Sequence, residues 1–74
     1  MKRTRIMYQA SIKFKYSEGI SPWMYCESAN TFYKTYEECL ESVKKEIKRR
    51  KYDQPIVSYM IEKITREEIE IVEI

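Results

Sequence analysis

The stretch Ile6 to Tyr16, "IMYQASIKFKY", decides the fold. Every even position from Ile6 to Tyr16 is apolar or aromatic, and the odd positions read Met7, Gln9, Ser11, Lys13 and Lys15. A repeat of two sustained over this length is the mark of a half-buried strand, with one face toward a core and the other toward solvent. Its even face is then the side that needs a covering layer, while the order of the strands stays open. Just after it, "SEGISP" (17–22) supplies Gly19 and Pro22 as turn residues. The chain is expected to reverse over those six residues into a second strand, "WMYCESA".

The period then changes. In "TYEECLESVKKEIKRRK", Tyr36, Cys39, Leu40, Val43 and Ile47 form one apolar stripe of a helix. Thr35, with Glu38 three residues on, is a capping box, and Glu37 and Glu38 suit the positive end of the helix dipole. Pro55 cannot continue a helix and restricts Gln54, so the helix is predicted over 36–51. Beyond Pro55, "IVSYMIEKI" alternates again, with Val57, Tyr59 and Ile61 on one side. "TREE" separates it from "IEIVEI", read as a last strand because β-branched residues outweigh the helix signal of Thr65 and Glu68. The fold class that follows is α+β: a four-stranded antiparallel sheet in the order ββαββ, with one helix packed on one face. Lys13, Lys15 and some of the aromatics belong to the sheet's open face.

Length supports one domain, residues 1–74, since a chain of this size buries only about 60% of its unfolded surface. With 43% apolar and 35% charged residues it is globular, because disordered chains lack so many Ile, Val and Tyr. No apolar run approaches the roughly 20 residues that span a bilayer, so the expected location is the cytoplasm of the host cell that makes it. Cys26 and Cys39 are too few for a disulfide framework and read as buried thiols.

Catalysis finds few instruments. The chain has no His, which removes the commonest general base and the usual Ser-His and Cys-His pairs. Two cysteines alone do not close a zinc site, and one Gly makes no phosphate-cradling loop. The expectation is a non-enzyme with no cofactor and no metal.

Charge is segmented. Residues 1–15 hold five cations and no acid, 16–43 one cation against five acids, 44–52 six against one, and 53–74 two against six. On a helical projection Lys44, Lys48 and Lys51 share one flank, bordered by Lys45 and Arg49, while Arg50 turns back toward the core. Part of this charge simply complements the helix C-terminus. The rest, Lys44, Lys45, Lys48, Arg49 and Lys51, is a candidate patch for phosphates or an acidic protein, joined by Lys2, Arg3 and Arg5 if the strand order allows. Glu41 with Lys45, and Glu46 with Arg50, are spaced to pair along the helix. Ten aromatics in 74 residues exceed what so small a core needs. Trp23, Tyr25, Phe32 and Tyr33 cluster near the second strand and the approach to the helix, and Trp23, Tyr25 and Tyr33 are candidate partner-binding residues with Lys13 and Lys15, since Tyr and Trp anchor interfaces and stack on unpaired bases.

The segment "YKTYEECLESVKKEI", followed by Pro55 and "SYMIEKI", resembles small phage and mobile-element proteins in which a Thr-Tyr-Glu-Glu helix start leads to a strand. In size and sheet-plus-one-helix build the chain looks like the small anti-CRISPR proteins, although its positive charge departs from their acidic, DNA-mimicking members. That resemblance implies a non-enzymatic inhibitor occupying a surface of a host defence complex, a CRISPR effector, as its protein partner. The alternative from the residues is a small nucleic-acid-binding regulator. A third reading is self-association into a homodimer through an unpaired sheet edge such as "IEIVEI".

Overall fold

The computed structural model describes residues 3–74. The long strand forms where the alternation places it: β1 spans Thr4–Tyr16, and Ala10 and Ile12 on its even side are 3% and 1% exposed, but Gln9 and Ser11 on the odd side, expected toward solvent, are buried too, because the segment 25–29 lies against them. Four further elements follow: β2 (Gly19–Ile20), β3 (Met24–Tyr25), α1 (Tyr36–Arg49) and β4 (Ile56–Glu67). β1 is the centre of the sheet. β4 pairs antiparallel with it from Thr4↔Glu67 to Phe14↔Ile56, while β2 and β3 pair with it through Lys15↔Ile20, Tyr16↔Gly19, Ser11↔Tyr25 and Ile12↔Met24. An isolated bridge, Tyr8↔Tyr33, continues along the same side as β3.

The architecture is the expected one, a four-stranded antiparallel sheet with one helix against it. The division of the strands is not ββαββ but βββαβ. The reversal takes only Ser17 and Glu18, because Gly19 adopts φ +138, a backbone conformation that side chains disfavour. The return strand then breaks at Ser21–Trp23, where Ser21 Oγ accepts from the Phe14 amide (3.0 Å) and donates to the Pro22 carbonyl (2.9 Å). So "WMYCESA" keeps only two strand residues. At the other end β4 runs straight through Thr65–Glu67, with Arg5↔Arg66 and Ile6↔Thr65 in register, and residues 69–74 form no strand. "TREE" does not interrupt the strand because β1 extends far enough to pair with it.

The helix begins where the capping box places it: the Glu38 amide donates to Thr35 Oγ1 at 3.1 Å. It ends at Arg49, with Arg50 as its C-cap. Tyr36 stacks edge-on against Tyr8, ring centroids 6.4 Å apart, and the Arg50 guanidinium lies 5.0 Å from the Phe14 centroid, so α1 runs alongside β1 in the same direction. The core between them is Ala10, Ile12, Cys26, Cys39 and Val43, flanked by Tyr8, Phe14, Tyr33, Ile56 and Ile61. The buried face of α1 is Cys39, Val43 and Glu46. The expected apolar stripe is therefore rotated, leaving Tyr36 and Ile47 exposed. Among the described residues no helix is long and apolar enough to cross a membrane.

Candidate functional site

The first candidate patch is the basic end of α1. Lys44, Lys45, Lys48 and Lys51 are exposed, as the helical projection expects. Arg49 is exposed but committed: its guanidinium donates twice to the buried Glu46 carboxylate, and Arg50 Nε donates to the same group at 2.6 Å. These bonds, Arg49 first, outweigh burial and hold the Glu46 carboxyl below the usual carboxylate range. Glu46–Arg50 thus forms as the spacing requires. Glu41–Lys45 is not among the described ion pairs. One buried acid thus engages two of the six cations within the helix end, and of these Arg50 alone reaches the sheet, over Phe14.

The second patch is the open face of the sheet. Cross-strand partners share a face, so Ser11↔Tyr25, Lys13↔Ser58 and Lys15↔Ile20 place Lys13, Lys15 and Tyr25 opposite the helix. Trp23 joins them, with Lys13 Nζ 4.8 Å from its ring centroid. Trp23 (43%), Tyr25 (50%) and Ile20 (60%) are exposed there, the substantial apolar surface that interfaces use. Tyr33 goes elsewhere. Its hydroxyl and that of Ser42 each donate to Glu27 Oε1, at 2.7 and 2.8 Å, and the two hydroxyl oxygens lie 2.8 Å apart. These bonds lower the Glu27 carboxyl below its usual range, and burial raises the Tyr33 phenol. Tyr33 therefore fastens the 26–33 segment to the helix, assisted by Gln9 Nε2, which donates to the Ala29 carbonyl at 3.0 Å.

The two basic segments do not merge. The helix starts near Tyr8 and ends near Phe14, so Arg3 and Arg5 lie beyond its N-terminal end, away from Lys48 and Lys51. Lys2 is outside the described residues. Arg5 instead meets Phe32, from the aromatic cluster, with Lys34 and Arg66, which sequence reasoning did not single out. Arg5, Met7, Phe32, Lys34 and Arg66 line a cleft of about 470 Å³. Arg66 is the direct cross-strand partner of Arg5, and its guanidinium lies 4.9 Å from the Phe32 centroid. The signals in the sequence were the positive charge of residues 1–15 and the aromatic cluster that holds Phe32; what brings them together with Lys34 and Arg66 is pairing between positions some 30 and 60 residues apart.

No protein-family model matches the chain, no curated protein matches it, and no solved structure matches it.

Proposed function

We propose that this chain is a non-enzymatic binding protein that acts by covering the open face of its sheet with a protein partner. The observation carrying this reading is the exposed row of Ile20, Trp23 and Tyr25 beside Lys13 and Lys15, on the face that the helix leaves uncovered. A core-building role does not account for a half-exposed Trp and Tyr side by side on a sheet. An aromatic centre with a cationic border has the composition of an interface hot spot. The resemblance to small anti-CRISPR proteins extends the proposal to its finer form: a phage-type inhibitor that works in the cytoplasm of the host and occupies a surface of a CRISPR effector or a similar defence complex.

The test is co-purification of the full chain with such effectors, comparing it with Trp23→Ala/Tyr25→Ala. The expected result is a stoichiometric complex that the double variant loses while keeping its circular dichroism spectrum. A complex retained by that variant would place the docking surface elsewhere. A second reading, self-association, is favoured by one specific observation. β4 pairs only with β1, so its outer edge of twelve residues is open to a second copy. A mass measured in solution at two concentrations separates the two, with a monomer at both leaving the heterologous partner.

A further inference from the structure

We propose that the cleft formed by Arg5, Phe32, Lys34 and Arg66 holds an unpaired nucleotide of a single-stranded nucleic acid. This goes beyond the protein-docking reading and does not rest on it, since the cleft lies at the opposite end of β1 from Lys13 and Trp23.

The electrostatics are the first argument. Arg5 and Arg66 face each other directly across the β1–β4 ladder, and like charges in that position destabilise a sheet. Lys34 adds a third cation, and among the described residues no acid lines this cleft, although Arg5 and Arg66 also border Glu67 and Glu68 in an adjoining hollow. Among the described residues the nearest relief is Glu68, whose carboxylate stands 3.8 Å from Arg5, while Arg66 and Lys34 form no ion pair. Three cations gathered in this way suit an anion with several oxygens, and arginine forks match phosphate in particular.

The shape is the second argument. The Arg66 guanidinium packs on Phe32, which gives the cleft a flat wall of stacked guanidinium and ring, and Met7, on the same face of β1 as Arg5, supplies an apolar floor. A volume of about 470 Å³ is within the range of small-ligand pockets. A phosphate alone uses the cations and leaves this guanidinium–ring plane without a stacking partner, and an acidic peptide does the same. A phosphate joined to a flat base uses both. In a duplex the base is stacked and unavailable, whereas single strands present bases to aromatic and guanidinium planes.

The experiment is fluorescence anisotropy of labelled single-stranded oligonucleotides of about ten residues, DNA and RNA, against the full chain at low and high salt. The same sequence as a duplex, a nucleoside monophosphate and a poly-glutamate peptide serve as competitors. The expected result is single-strand binding that weakens as salt rises, with a slope near −0.7 per phosphate contact. Phe32→Leu should weaken it about 5- to 100-fold, as loss of one base stack does. Arg66→Ala and the exposed Lys34→Glu should weaken it about tenfold or more and flatten the salt slope. Lys34→Glu touches no core residue, so its effect is readable even if Arg66→Ala fails to fold. Lys48→Ala/Lys51→Ala at the helix end should leave binding unchanged.

No oligonucleotide binding near 50 mM salt would overturn the proposal. So would a duplex or the peptide competing as well as the single strand, a monophosphate binding as tightly as the oligonucleotide, or loss of binding in the helix-end variant with Phe32→Leu unaffected. Trp23→Ala/Tyr25→Ala leaves the cleft intact, so failure of the protein-docking reading and failure of this one appear in different variants.

Discussion

At the scale of the residue, Glu46 carries more of the structure than its place among the cations suggests. It is 7% exposed, and its carboxylate accepts from both Arg49 and Arg50. Its pKa is lowered in the fold, so the unfolded chain takes up the proton first as pH falls. The stabilisation is complete above the unfolded carboxylate value of about 4.3 and is lost as pH drops through the lower folded value. Glu46→Gln is expected to cost about 1 kcal/mol at neutral pH, because Arg49 is largely solvated. Urea midpoints of the two proteins should converge as pH falls below about 4; a gap that persists in acid would show that the carboxylate charge is not what holds the helix end. The cysteines give a second expectation. Cys39 is fully buried and Cys26 is 6% exposed; burial raises both thiols, and the nearby Glu46 charge raises Cys26 further. Both should resist a thiol reagent at neutral pH and react at once in denaturant, whereas fast native labelling of either would contradict their place in the core.

At the scale of the element, the helix shows what periodicity can and cannot specify. Its start was legible because a cap is local chemistry: Thr35 and Glu38 are three residues apart in any context. Thr35→Ala should lower stability by about 1 kcal/mol, measurable as a shift in urea midpoint, and Thr35→Ser should restore most of it. Its buried face was less legible. Apolar residues alone point to Tyr36, Cys39, Leu40, Val43 and Ile47; Cys39 and Val43 are buried as that stripe requires, but Ile47 is exposed and the Glu46–Arg50 pair completes the buried face, with Arg50 lying over Phe14. A charged pair becomes part of a buried face when the two charges satisfy each other and the guanidinium plane packs on a ring. Hydropathy does not register that exchange. The strands show the same limit: "TREE" reads as a break, yet Thr65–Glu67 stay in β4 because β1 offers backbone partners there.

At the scale of the whole molecule, the ladder of β1 and β4 gives the chain an elongated form of 50 × 25 × 16 Å with a thin core. Ile12, 1% exposed, lies in the middle of β1 between β3 and β4 and within the core under the helix. Ile12→Ala should cost about 2–5 kcal/mol, a large part of the stability of a domain this small, and Ile12→Val about 0.5–1.5 kcal/mol. Thermal unfolding followed by circular dichroism should show the valine variant melting several degrees lower and the alanine variant largely unfolded. A small shift for alanine would mean that the core is not organised around this residue.

The sequence by itself determined the elements whose signals are local: the long alternating strand, the capped amphipathic helix, the return after Pro55, and the class of fold they build. Alternation also told correctly that Lys13 and Lys15 face away from the helix. Only the tertiary structure decided which strands neighbour one another, and with that which charges meet. Because β1 is central and α1 runs beside it in the same direction, Arg5 is carried away from Lys48 and brought to Lys34 and Arg66. The physical reason is that period and capping depend on residues within a turn or two of each other. Strand order depends on burying the core as a whole, and no short window of sequence contains it.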